Sequence, residues 1–161
     1  MLSSENPSAV SSNAPRSTEQ PSVLSRWLPV VVWAVLISSA STSYLSSEVT
    51  GSVLKPILQW LFPSLSIDQL ELLHWFVRKA AHFIEFGVFS ALLYRAVDVN
   101  PIFGLPTPAK CLLISGIYAG LDELHQSIVP GRTASGLDAL IDLAGAVAAQ
   151  ALLAAWHARR R

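Results

Sequence analysis

Four apolar segments of near membrane-span length occupy most of the chain after its first 25 residues. They cover about residues 27–45, 80–97, 109–129 and 137–158. A helix needs about 20 predominantly apolar residues to cross the hydrocarbon core of a bilayer. The pattern therefore predicts an all-α polytopic membrane protein, a bundle of four transmembrane helices. The low charge content agrees, because only 14% of the residues are charged, whereas soluble domains usually carry about 25%.

The composition divides the chain into two parts. Residues 1–25 are rich in Ser, Pro and Asn, and such a segment buries too little apolar surface to offset the entropy of ordering it. We therefore predict a disordered cytoplasmic tail over 1–25 and a transmembrane domain over 26–161.

The formal net charge of zero gives no reason to expect nucleic-acid binding. The single cysteine, Cys111, can form no intrachain disulfide and lacks zinc-ligand spacing.

The first apolar segment has two interpretations. An apolar run followed by the small residues "SSAS" is also typical of a cleaved signal peptide. The long segment that precedes the apolar run, and the length of the run itself, favour a retained transmembrane helix. We therefore predict a retained helix.

Two amphipathic stretches lie between the first two predicted spans, "VTGSVLKPILQWLF" and "SIDQLELLHWFVRK". The second opens with Ser66 three residues before Gln69, a capping-box pattern. Both are predicted to be interfacial helices, with Trp60 and Trp75 at the headgroup level. A plain extramembrane loop is the alternative.

The distribution of Lys and Arg predicts the orientation. With four spans both termini lie on one side, and that side carries seven cations: Arg16, Arg26, Arg95, Lys110, Arg159, Arg160 and Arg161. The other side carries four: Lys55, Arg78, Lys79 and Arg132. The positive-inside rule then places both termini in the cytoplasm.

Ionisable residues gather at the non-cytoplasmic end of three of the predicted spans. Helical spacing puts residues 122, 125 and 126 on one face, residues 138 and 142 on another, and residues 78, 82 and 85 on a third. Charged groups at such depth are costly unless they turn inward and pair. We therefore predict one polar pocket near the outer leaflet, formed by Arg78, Lys79, His82, Glu85, Asp122, Glu123, His125, Gln126, Arg132, Asp138 and Asp142.

Several roles for this pocket stay open. It fits an ion-paired network that fixes helix packing, or a binding site for an anionic envelope component such as a lipid-linked phosphate or cell-wall precursor, held by Arg132 and Arg78. It also fits an intramembrane hydrolase or metal-dependent enzyme that uses His82 or His125, or a path for protons or ions. Because no HExxH or other specific hydrolase motif is present, we favour a non-enzymatic role and predict no catalytic residue, metal or cofactor.

Two motifs resemble the VanZ-like membrane proteins: "RKAAHFIEFGVFSALLYRA" and "DELHQSIVPGRTASGLDALIDLAGA". The Ser-rich "SSASTSYLSS" is similar to a further segment of that family, while Phe86 stands where a tyrosine is common. The resemblance implies a multi-pass protein of the bacterial inner membrane and cell envelope, with the lipid bilayer as its partner. The founding member is associated with resistance to the glycopeptide antibiotic teicoplanin. The resemblance implies neither a reaction nor an oligomeric state.

Overall fold

Five helices make up the part of the chain that the computed structural model describes, residues 22–42, 46–97 and 104–160. They are α1 (Val23–Ala40), α2 (Ser47–Leu61), α3 (Ile67–Ala96), α4 (Thr107–Ile128) and α5 (Gly136–Ala158). The all-α prediction is confirmed. Most of the predicted tail, residues 1–21, lies outside the described residues, and α1 begins at Val23, ahead of the predicted boundary at residue 25.

Local sequence signals explain where the helices begin. The Ser22 side chain accepts a hydrogen bond from the Ser25 amide and caps α1. Ser66 and Gln69 form the predicted capping box at the start of α3, which satisfies two amide groups that a helix start would leave unpaired. Between α4 and α5 the chain turns at Gly131, whose φ of 77° is a backbone conformation that glycine adopts without a steric penalty.

The segment between the first two predicted spans differs from the prediction in one respect. Its first part is a separate helix, α2. Its second part is no separate interfacial helix, because α3 continues without a break from Ile67 to Ala96. No proline or glycine interrupts residues 67–86, so nothing in the backbone separates the amphipathic start of α3 from its apolar continuation.

Two helices, α1 and α5, are long and apolar enough to cross a membrane. This is fewer than the four spans that were predicted. In α3 and α4 ionisable residues interrupt the apolar sequence, so these helices do not meet a criterion based on length and hydropathy. On α1 the outward-facing side is apolar and includes Val31, Val32 and Leu36, each at least half exposed. Continuous apolar surface of this kind is typical of a face that contacts lipid or another protein.

The central helix is α3, which contacts all four of the others and packs most extensively against α5. The buried core around it contains Phe86, Phe89, Leu93, Cys111, Ala119 and Ala146. The closest approach lies at Gly145 of α5, where an added Cβ would stand 2.0 Å from the carbonyl oxygen of Phe83. Small residues on α5 therefore permit close helix packing, as their clustering in the sequence indicates.

Polar contacts also hold α1 in the bundle. The Trp33 indole donates a hydrogen bond of 2.9 Å to the carbonyl oxygen of Glu85 on α3. On α4, the Tyr118 hydroxyl donates to the carbonyl oxygen of Ala34 at 2.7 Å, and it lies 2.7 Å from the Ser38 hydroxyl. These contacts set the position of α1 along the axes of α3 and α4.

Candidate functional site

The polar residues of α3 meet those of α5 at the start of α5. Lys79 Nζ forms an ion pair with Asp138 Oδ1, and His82 Nδ1 lies 3.1 Å from Asp142 Oδ1. Contacts between residues 79 and 138 and between 82 and 142 mean that α3 and α5 run in the same direction here. The spacing of three residues on α3 and four on α5 brings successive pairs into register, because both spacings return to nearly the same helix face.

Asp142 is the most deeply buried of these groups, with no exposed surface. Its Oδ1 faces His82, whereas its Oδ2 has no hydrogen-bond partner among the described residues. A buried carboxylate oxygen without a partner is costly. The His82 contact is therefore the main compensation that the described structure provides for this carboxylate.

The two acidic residues of α4, Asp122 and Glu123, form hydrogen bonds with other residues of the chain. Gln126 Nε2 donates to Asp122 Oδ2 at 2.7 Å and to the Ser41 hydroxyl at 3.3 Å. The second bond links α4 to the end of α1. Glu123 accepts a hydrogen bond from the backbone amide of Ser135, so it holds the loop that leads into α5. Asp122 is thus held within α4 and Glu123 connects α4 to the loop, and neither belongs to an ion pair among the described residues.

A small cavity of about 130 Å³, which we call the polar cavity, lies beside these contacts. A water molecule takes up about 30 Å³ in the liquid, so the space is enough for a small polar group or a few waters. Its lining comes from the end of α1, from α2, from α3 and from the loop before α5. The lining residues are Ala40, Ser41, Thr50, Arg78, Ala81, His82, Glu85 and Arg132.

Both arginines of the polar cavity are held by neutral groups. Arg78 Nη1 donates to the Thr50 hydroxyl at 3.2 Å. Arg132 Nε donates to the carbonyl oxygen of Thr42 at 3.1 Å, and its Nη2 donates to that of Ala40. Among the described residues the ion pairs are Lys55–Glu71, Lys79–Asp138 and, when His82 is protonated, His82–Asp142, and neither arginine belongs to one.

Arg78 also affects the pKa values of Arg132 in the loop and of His74 in the first half of α3. Burial lowers the pKa of Arg132, and the neighbouring Arg78 guanidinium lowers it further. Burial also lowers the pKa of His74, as do the cations Arg78 and Lys55. The lowered pKa favours the neutral form of His74 at pH 7, and Arg78 and Arg132 contribute positive charge to the lining of the polar cavity.

The structure does not bring all of the predicted site residues to the cavity. Arg78, His82, Glu85 and Arg132 line it, and Asp142 contacts it through His82. His125 is half-buried and lines a different depression, between α1 and α4. Asp122 and Gln126 share the buried face of α4 with Glu123, which lies about 100° from Asp122 on one side, while His125 lies about 60° from Asp122 on the other side and so comes at the edge of that face.

Several residues of the site were not predicted from the sequence. Thr50 and the backbone carbonyls of Ala40 and Thr42 position the two arginines. The Ser-rich segment at the end of the first predicted span includes Ala40 and Thr42, and it was the one sequence signal for these two residues. Another unpredicted contact lies deeper in the bundle, where Gln150 Nε2 donates to the Ser90 hydroxyl at 2.8 Å. A lone amide in an apolar run is a signal for such a contact, since amides in apolar surroundings need partners.

A comparison with models of protein families matches most of the chain. The VanZ/LLP1 family model matches residues 24–157, a range that includes nearly all of α1 and of α5. No curated protein and no solved structure matches the chain. In the described ranges no group of three or more His, Cys, Asp and Glu side chains is arranged to hold a metal ion.

Proposed function

The chain belongs to the VanZ/LLP1 family, and from this premise we propose that it is an integral membrane protein of the cell envelope whose polar cavity binds the phosphate of an anionic envelope component. The single observation that carries the proposal is that Arg78 and Arg132 line one cavity and neither belongs to an ion pair among the described residues. Guanidinium groups bind phosphate through two parallel hydrogen bonds.

The topology proposed for this function has four spans, made by α1, the second half of α3, α4 and α5. Both termini are cytoplasmic, and the polar cavity lies near the outer leaflet. The distribution of Lys and Arg, seven against four, supports this orientation. The hydrogen bonds that Trp33 and Tyr118 form between α1 and the other helices support retention of the first span rather than its removal as a signal peptide.

The charges of the cavity lining favour an anion over a structural plug. The lining itself contains two guanidinium groups and one carboxylate, that of Glu85. Asp122 and Glu123 also act electrostatically on Arg132, but they do not line the cavity, so a phosphate inside it would contact more positive than negative groups. In a structural plug the cations would pair with carboxylates, as Lys79 does with Asp138. A lipid-linked phosphate or a cell-wall precursor has the required chemistry, and binding of such a precursor would affect the response to glycopeptide antibiotics.

We predict that Arg78→Gln and Arg132→Gln each weaken the binding of inorganic phosphate to the purified protein by about tenfold or more. A hydrogen bond to a charged group contributes about 1.5–3 kcal/mol, and each 1.4 kcal/mol is about a factor of ten. Equilibrium dialysis with radiolabelled phosphate in a non-ionic detergent measures the affinity. Arg160→Gln is the matched control, because Arg160 lies over the Trp156 ring at the other end of α5.

Glu85→Gln tests the same site in the opposite direction. Removing the one carboxylate of the lining removes its repulsion of phosphate, so the affinity is expected to rise. A structural plug makes a different prediction, in which all three cavity variants lower stability and none changes phosphate binding. Wild-type protein that binds no phosphate at millimolar concentration would contradict the proposal.

A second candidate function, an intramembrane hydrolase, is favoured by one observation. His82 contacts the buried Asp142 through Nδ1 while its ring lines the polar cavity. A carboxylate that orients an imidazole in this way leaves Nε2 available as a general base.

We predict that His82→Asn still binds phosphate, since its amide can donate to Asp142 as His82 does. If the protein hydrolyses a lipid-linked phosphate, this variant loses that turnover, because an amide cannot accept the proton. Product analysis after incubation with a polyprenyl or alkyl phosphate ester measures it. Turnover that survives the substitution would exclude His82 as the base, and the absence of turnover by the wild type would leave binding alone.

A further inference from the structure

An apolar groove of about 580 Å³ runs along the outer side of the bundle between α1 and α4, and we call it the α1–α4 groove. Phe89 and Leu93 of α3 contribute to its lining. Val31 and Val35 line it from α1, and Ile114 lines it from α4. Its volume is within the range of about 300–1,000 Å³ that is typical of ligand sites.

The polar residues of the α1–α4 groove lie at one end. Its lining between Trp27 and Val35 is apolar on α1, whereas Ser38, Ser39 and Thr42 follow toward the end of that helix. His125, the predicted site residue that does not line the polar cavity, also lines the groove. The groove is therefore amphipathic along its length, apolar at the Trp27 end and polar at the Thr42 end.

The polar end of the groove and the polar cavity lie on opposite sides of the last turn of α1. Ser39 and Thr42 line the groove, while the intervening residues Ala40 and Ser41 line the cavity. Arg132 joins the two, because it lines the cavity and donates through Nε to the Thr42 carbonyl oxygen at 3.1 Å. A ligand with a charged head and an apolar tail that bends around this turn could occupy both sites, with its head at the arginines.

We infer that the α1–α4 groove holds the hydrocarbon chain of the same ligand whose phosphate the polar cavity binds, so that the ligand class is a single-chain or polyprenyl-type lipid phosphate. The inference rests on the proposed function. From Trp27 to Ser39 the groove follows α1 for about 18 Å, at about 1.5 Å per residue. This is close to the depth of one leaflet, half of a hydrocarbon core of about 30 Å.

The test uses the full chain in dodecyl maltoside micelles, which contain no phosphate. The probe is a hexadecyl phosphate that carries a diazirine in its chain, and mass spectrometry maps the cross-linked residues. We expect saturable labelling of the groove-lining parts of α1 and α4, competition by excess inorganic phosphate, and weaker labelling by the matched hexadecanol probe.

A pair of neighbouring valines provides the matched variants. Val31 lines the groove and Val32 does not, although both are at least half exposed. Val31→Trp fills the groove with an indole, so labelling of the groove is expected to be lost, whereas Val32→Trp retains it. Ile114→Trp repeats the test from α4, with the exposed Leu113→Trp as its control.

The outcomes separate this inference from the proposed function. If inorganic phosphate binds and depends on Arg78 and Arg132, but the probe labels all apolar faces equally, the groove inference is wrong and the proposed function stands. Equal groove labelling by the alcohol and the phosphate, without phosphate binding, would overturn both. Cross-links between two copies through Val31 would assign the groove to a dimer contact and would also overturn the inference.

Discussion

Replacing Gly145 with alanine is expected to destabilise the protein by about 3 kcal/mol or more, at the upper end of what overpacking a core costs. The added Cβ would stand 2.0 Å from the carbonyl oxygen of Phe83 and 2.9 Å from its carbonyl carbon. Both atoms belong to the backbone of α3, so no side chain can rotate to make room. The two helices must therefore separate, which also pulls His82 away from Asp142.

A graded series of glycine variants measures this effect. At Gly87 an added Cβ would stand 3.4 Å from the Gly145 carbonyl oxygen, and at Gly120 it would meet no atom within 4 Å. The melting temperature in detergent, followed by tryptophan fluorescence, is expected to fall strongly for Gly145→Ala, to change little for Gly87→Ala and to rise slightly for Gly120→Ala. Alanine also favours a helix over glycine by about 1 kcal/mol. Wild-type stability of Gly145→Ala would show that α3 and α5 do not cross this closely.

Replacing His82 with leucine is expected to cost about 3–5 kcal/mol, the effect of removing one partner from a buried ion pair. Asp142 has no exposed surface and its Oδ2 has no partner among the described residues, so the variant leaves both carboxylate oxygens buried without a donor. Asp142→Leu is expected to cost less, because an imidazole can remain neutral when its partner is removed.

The double variant His82→Leu with Asp142→Leu separates a structural pair from a functional one. Replacing both members of a buried pair with apolar residues is often neutral or stabilising, so the double variant is expected to be more stable than His82→Leu alone. Thermal unfolding of the four proteins gives the coupling energy between the two positions. A double variant that is no more stable than His82→Leu would mean that the two side chains do not compensate each other. Phosphate binding by the double variant is expected to persist, since the arginines remain.

Much of the site could be anticipated from helical spacing. The contacts of Lys79 with Asp138 and of His82 with Asp142 join residues that the sequence places at the same end of the second and fourth predicted spans. Spacing could not tell which carboxylate each cation meets. Nor could spacing predict the partners of the arginines. Arg78 donates to Thr50 and Arg132 donates to the end of α1, not to the acidic residues.

Spacing was insufficient for His125 because a helix face is defined by its neighbours. Asp122 and Gln126 are buried, while His125 lies beside them at the edge of α4 and lines the α1–α4 groove. Hydropathy was also an incomplete guide. It predicted four spans, whereas two helices of the structure are long and apolar enough to cross a membrane. The charges that lower the hydropathy of α3 and α4 include the residues that the fold brings together.

The sequence by itself determined that the chain is helical, which ends of the helices carry charge, and that the family motifs lie on α3, on α4 and at the start of α5. These properties depend on local periodicity and on the cost of burying unpaired charge, both of which can be read from neighbouring residues. Only the tertiary structure decided which cations are paired and which face the polar cavity. Pairing depends on the contact of α3 with α5 at Gly145, on the position of α1 and on its terminal carbonyls, and these are distances between residues far apart in the chain.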